Sequence, residues 1–319
     1  MSSTNTLFLQ IHGGRWHSNT DHAWAWLSFL YPLPAAYLTR EKGLWTLPIQ
    51  YPLAMVPSHY RYQYMTFFGL AVSLAVATPY WLFSGFMSSL AATIARWTLI
   101  AGVAIYLIAI WFSEFYGTPV QRWAPKKSRI VDDKSSRPIY RDQLDEVDRQ
   151  IRQACTEYPH KRIVVFGHDA GAHLLALWAL RQKKYGDLPK SIIALVTSDG
   201  IYDLEDYAVG PQNYSDLYQR RVILEPAFGP QGSVWRSASP MHVGGREGPV
   251  VPRDLDWYVC SDLFGNSVKE AQARSFQQRI ARYAHAQNAG TNVHFEAQLG
   301  MANPTSRQFV NLLKQICKK

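Results

Sequence analysis

The feature that most constrains this chain is a corner. Residues 164–180 read VVFGHDAGAHLLALWAL. An apolar run of strand character meets a glycine-flanked turn, and an apolar helix follows with no loop between. Gly167 and Gly171 bracket Asp169 in the spacing G-x-D-x-G. This spacing turns a chain sharply from strand into helix and holds one side chain exposed at the bend. The better-known form, G-x-S-x-G, carries a serine nucleophile at its centre. Here the centre is a carboxylate, so the chemistry must suit one.

Around the corner, strand-like and helix-like stretches alternate. Leu7 to Ile11 reads as a short apolar strand that ends in His12-Gly13-Gly14. Residues 44–53, LWTLPIQYPL, suggest a second strand weakened by two prolines. Residues 142–155 place Leu144, Val147 and Ile151 at helical spacing, with polar residues opposite. Strands are expected at 162–166, 191–197, 256–260 and 292–299, and helices at 267–287 and 305–317. This repetition implies the α/β class, a mostly parallel sheet with helices on both faces.

One segment departs from that composition. From Tyr62 to Ala95 there is no charged residue; Arg96 interrupts, and an apolar run continues to Ser113. A bilayer core needs about 20 apolar residues per helix. The stretch therefore predicts a transmembrane helical hairpin, with Gly85, Ser88 and Ser89 at its turn. Basic residues flank it, Arg61 before and Arg122, Lys126, Lys127 and Arg129 after. The positive-inside rule then puts both flanks and the rest of the chain on the cytosolic side. The expected organisation is 1–61, first part of the α/β domain; 62–117, hairpin; 118–140, linker; and 141–319, the remainder, with a short cap at 201–240. The formal charge of +9 is spread among acidic neighbours, and no Lys/Arg tract alternates with stacking aromatics. That disfavours nucleic acid as a partner and fits a membrane surface. Three cysteines, Cys155, Cys260 and Cys317, lie far apart without metal-ligand spacing. Reduced thiols are expected, with no metal and no cofactor.

The motifs IHGGRW (11–16), GHDAGAH (167–173), GIYDL (200–204) and SASPMHV (237–243), in this order, resemble those of the α/β-hydrolase superfamily. Within it the pattern is most similar to the kynurenine formamidase and small carboxylesterase group. The resemblance implies an α/β-hydrolase fold and an oxyanion hole formed by Gly13, Gly14 and the N–H of Ala170. It also implies an acid after the penultimate strand, where Asp262 stands, and a histidine after the last strand, where Asn303 stands instead. His294, on the last strand, is the substitute candidate for the base. His12, His173 and His242 read as loop-holding background.

Carboxylates attack saturated carbon well and form useless mixed anhydrides with ordinary esters and amides. Asp169 thus points to epoxides or alkyl halides, as nucleophile or as general acid/base. The written form GHDxGA resembles that of soluble epoxide hydrolases and haloalkane dehalogenases. Epoxide opening also needs a proton donor, for which Tyr202, Tyr207, Tyr214 and Tyr218 are candidates. With the hairpin, the whole resembles the fungal epoxide hydrolases of aurovertin- and citreoviridin-type polyketide pathways. This resemblance implies a lipophilic epoxide substrate, a partner monooxygenase that makes it, and the endoplasmic reticulum membrane as location. A formamidase or carboxylesterase, or an inactive hydrolase-fold interaction protein, are the alternative expectations.

Overall fold

The structure is a computed structural model. It describes residues 5–13, 16, 34–52, 54, 139–209, 224–229, 232–245, 247–262, 267–298 and 305–319. The chain divides into two compact units, 1–55 with 133–319, and 56–132, and every described residue belongs to the first. The expected hairpin (62–117) and all of the expected linker up to residue 138 lie outside the described residues. Among the described residues, no helix is long and apolar enough to cross a membrane.

Six strands form one sheet. They are β1 (Thr6–Ile11), β2 (Thr46–Ile49), β3 (Arg162–His168), β4 (Ile192–Ser198), β5 (Asp256–Ser261) and β6 (Asn292–Ala297), in the order β2-β1-β3-β4-β5-β6. Every neighbouring pair is parallel. Parallel strands need long crossovers, which cover both faces, so central strands are apolar throughout. TLFLQI in β1 is buried at every position, as are residues 163–167 of β3. β2 pairs only with β1 among the described strands, and Pro48 sits within it. An edge tolerates a residue with no N–H to donate. The two prolines therefore shorten the expected strand to four residues instead of abolishing it.

Chain order fixes where a ligand can sit. From β1 the chain moves outward to β2, then returns to β3 on the other side of β1 and continues to β6. Open α/β sheets bind ligands beyond the carboxyl ends of their strands at such a reversal. Here the reversal lies between β1 and β3, the strands that lead into His12-Gly13 and Asp169.

The helices cover the sheet unequally. On one face Phe8, Val164, Phe166, Val196 and Cys260 pack with Leu38 of α1 (Pro34–Lys42) and Phe309, Leu313 and Ile316 of α9 (Arg307–Lys318). α1 has no counterpart among the expected elements, and α9 is N-capped by Ser306, whose Oγ accepts from the Phe309 N–H at 3.1 Å. α2 (Tyr140–Glu157) buries Leu144, Val147 and Ile151, the stripe the sequence predicts. α3 (Ala170–Leu180) is buried at every residue. A helix apolar all round can only lie in the interior, and it is this helix that starts at the corner.

Short helices α4 (Gln182–Tyr185), α5 (Leu204–Val209), α6 (Glu225–Phe228) and α7 (Gly232–Ala238) follow, then a 3-10 turn at Pro240–His242. α8 (Ser267–Ala286) joins β5 to β6. All three cysteines are free thiols.

Candidate active site

Asp169 stands at the join of β3 and α3 with φ 51° and ψ −118°. A non-glycine residue avoids this region because its Cβ crowds the backbone, at a cost of about 1–3 kcal/mol. The surroundings hold it there. A Cβ on Gly167 would lie 2.5 Å from the Gly171 carbonyl, and one on Gly171 only 2.2 Å from the Ile11 oxygen. Helix start, elbow strand and β1 end thus meet backbone to backbone, which is possible only with glycine at both places. The Asp169 N–H donates to the Ser198 carbonyl at 3.0 Å, and its own carbonyl accepts from the His173 N–H at 3.1 Å. The Asp169 side chain is half-buried at this bend.

The loop after β1 is drawn onto the elbow. A Cβ on Gly13 would lie 2.7 Å from His168 Nε2, so this loop passes directly over the residue before Asp169. His12 is buried; its Nδ1–H donates to the Gly13 carbonyl at 2.8 Å, and its ring stacks on Tyr51 at 4.1 Å. The Tyr51 hydroxyl donates to the His12 carbonyl at 3.0 Å. The structure therefore brings Gly13, Asp169 and Ala170 together. Gly14 lies outside the described residues.

His173 anchors the elbow from within. It is fully buried. Trp16 Nε1–H donates to its Nδ1 at 3.2 Å, which leaves Nε2–H to donate to the Ala238 carbonyl at 3.0 Å. Both nitrogens are used in the neutral ring. Burial holds its pKa down to about 3, against a smaller upward pull from the Ala238 bond.

His294 and Tyr202 stand away from the elbow carboxylate. His294 pairs with Tyr258 in register, below the level of the strand ends, and its Nε2 approaches Asp256 Oδ1 at 3.5 Å. Asp256 is the first residue of β5, at the end of the sheet away from Asp169. β6 also stands three strands from β3, roughly 14 Å across the sheet. The expectation that His294 serves Asp169 as base is corrected: its ring lies beside Asp256, toward the opposite end of the sheet. Tyr202 is also corrected as a donor to substrate. It is fully buried, stacked on Phe276 at 4.2 Å, and its hydroxyl donates to the Thr197 carbonyl at 3.4 Å. Burial raises its pKa far above the ordinary phenol value. Tyr207 is buried on α5. Tyr214, Tyr218 and Asn303 lie outside the described residues.

Asp262 follows β5 directly and is half-buried at the carboxyl end of the sheet, the edge that carries Asp169. Sequence reasoning passed over a third carboxylate there, Asp199, the residue after β4. It has φ 51° and is 8% exposed. The signal lay in TSDG: an acid at the end of the strand next to the elbow strand, followed by glycine.

His242 and Asp203 form a separate pair, 2.8 Å between Nε2 and Oδ2. Asp203 Oδ1 accepts the N–H groups of Glu205 and Asp206, so this carboxylate starts α5 and ties it to the 3-10 turn. Among the described residues, Asp203, Glu205 and His242 are the one group near enough to share a metal ion. Their hydrogen bonds already account for two of the three.

No family model matches the sequence, and no curated protein matches it. Solved structures do. A fungal esterase from Rhizomucor miehei is similar at 14% identity and TM-score 0.50, over 98% of this chain and 72% of that one. Esterase B from Lactobacillus rhamnosis is similar at 10% identity and TM-score 0.50, over 100% of this chain and 76% of that one. The chain has the α/β-hydrolase fold.

Proposed function

We propose that this chain is a membrane-associated hydrolase that opens epoxides on a lipophilic substrate, with Asp169 as its reactive carboxylate. The observation that carries this reading is the backbone of Asp169, φ 51° and ψ −118°, clamped between two glycines that accept no Cβ. An aspartate kept in so unfavourable a conformation at the reversal of strand order is a group held for use. Its chemistry selects the substrate. Attack on an ester or amide returns a mixed anhydride, whereas attack on the saturated carbon of a strained ring is productive. The N–H groups of Gly13 and Ala170, beside the elbow, are assigned to meet the developing alkoxide.

The lipophilic substrate and the membrane follow from the charge-free stretch 62–95 and its basic flanks. The likeness of GHDAGAH and the hairpin to the fungal polyketide-pathway enzymes supports a polyene epoxide delivered by a monooxygenase, with the catalytic residues on the cytosolic side of the endoplasmic reticulum. Asp262 is assigned to support the site from the end of β5.

The test is consumption of a long-chain alkyl epoxide by detergent-solubilised full-length chain. Asp169→Asn should lower it at least ~100-fold, the low end of what a positioned carboxylate contributes, with an unchanged melting midpoint. Undiminished epoxide consumption by that variant overturns the proposal. So does a wild-type chain that hydrolyses p-nitrophenyl esters and leaves epoxides alone.

A further inference from the structure

We propose that Asp199 is the general base of this site, taking a proton from the water that hydrolyses an alkyl ester formed on Asp169. The inference rests on the epoxide-opening reading and deepens it. His168 and Ser198 are in register, and the Asp169 N–H donates to the Ser198 carbonyl. Asp169 and Asp199 are therefore the residues that follow paired positions on adjoining strand ends.

A second observation lies one strand further on. Ser198 pairs with Cys260, which sets Ser261 level with Asp199. Ser261 is fully buried, and its Oγ has no hydrogen-bond partner among the described residues. A buried hydroxyl left in this state calls for a water or ligand oxygen to complete it. Carboxylate and hydroxyl together can hold a water beside the elbow, one accepting its proton and the other fixing its place. The familiar alternative is a histidine. His173, His242 and His294 are engaged with Trp16 and Ala238, with Asp203 and with Asp256 respectively, His12 Nδ1 is held by the Gly13 carbonyl, and the His168 ring packs against the Gly13 backbone.

The steps balance. An Asp169 oxygen bonds to an epoxide carbon, the ring C–O bond breaks, and the ring oxygen takes a proton from solvent. Water then bonds to Asp169 Cγ while its proton passes to Asp199. Collapse breaks the bond between Cγ and the product oxygen, which takes the proton back from Asp199. Asp169, left as the acid, returns a proton to solvent.

The experiment mixes solubilised full-length chain with excess long-chain terminal alkyl epoxide, quenches, and reads intact mass. Asp199→Asn should turn over at least ~100-fold more slowly and accumulate a species heavier by one epoxide. That species should vanish when Asp169→Asn is added. Ser261→Ala, a milder change, should give a burst of one equivalent followed by slowed turnover. A folded Asp199→Asn variant that carries no added mass overturns the inference and leaves the epoxide reading standing. If that variant does not fold, an unchanged Ser261→Ala time course overturns it. A wild-type chain that consumes no epoxide overturns the epoxide reading instead.

Discussion

At the scale of single residues, the elbow divides glycines into two kinds. Gly171 has φ outside the left-handed region, yet its missing Cβ is what lets the Ile11 and His12 carbonyls approach within 2.2 and 2.5 Å of where that atom would be. Gly186 has φ 78° and open space around it. Gly171→Ala must therefore push two backbones apart and should destabilise by at least ~3 kcal/mol, the upper part of the overpacking range. Gly186→Ala meets only a backbone preference and should lose about 1 kcal/mol. Chemical denaturation of the two variants checks the contrast, and equal losses contradict it. The same distinction explains what could be read without coordinates. Asp169 was legible because its neighbours at two residues either side are glycines, a local pattern. Asp199 was not, because its relation to Asp169 exists only through the registry of β3 with β4, thirty positions later in the chain. His294 misled for the converse reason: its type fitted, and nothing local shows that the side chain meets Asp256.

At the scale of an element, α3 behaves as a neutral wedge. Every residue on it is buried, and His173 is fixed by Trp16 and Ala238 in its uncharged form. Its pKa falls to about 3 in the folded chain from an ordinary 6.5. The unfolded chain thus binds a proton below pH 6.5 that the folded chain refuses. The stabilisation is whole above the unfolded value and is lost as pH falls toward the folded one. Stability should drop by about 1 kcal/mol per pH unit between roughly pH 6 and pH 4. His173→Gln keeps an acceptor and a donor without titrating there, so its unfolding midpoint should depend less steeply on pH over that window. A slope equal to that of the wild type denies the wedge its role. The α2 stripe of Leu144, Val147 and Ile151 was readable from spacing. α1 was not, since few of its residues are apolar and the sheet supplies their partners.

At the scale of the whole molecule, the two borders of the long insertion are tied down within the sheet-bearing unit. Gln143 Nε2 donates to the Pro52 and Trp16 carbonyls at 2.8 and 3.0 Å, and the Gln50 N–H donates to Gln150 Oε1 at 3.1 Å. The chain leaving β2 is thus bound to the helix that re-enters the fold. Replacing residues 56–132 by a short Gly/Ser linker should leave a folded chain that still unfolds cooperatively. It should also move the protein from carbonate-washed membranes into the soluble fraction. Full-length chain that is already in the soluble fraction would sink the hairpin.

That tie at Gln143 has a bearing on descent. Every residue assigned to the reaction lies either before position 15 or after position 168, and the amide of Gln143 binds the Trp16 and Pro52 carbonyls on the near side of the intervening stretch. On the proposed reading, where the molecule resides and what it converts are written in separate stretches of the gene. Selection can lengthen, exchange or discard the first while the second stays as it is, so descendants of this chain can keep the chemistry and change compartment.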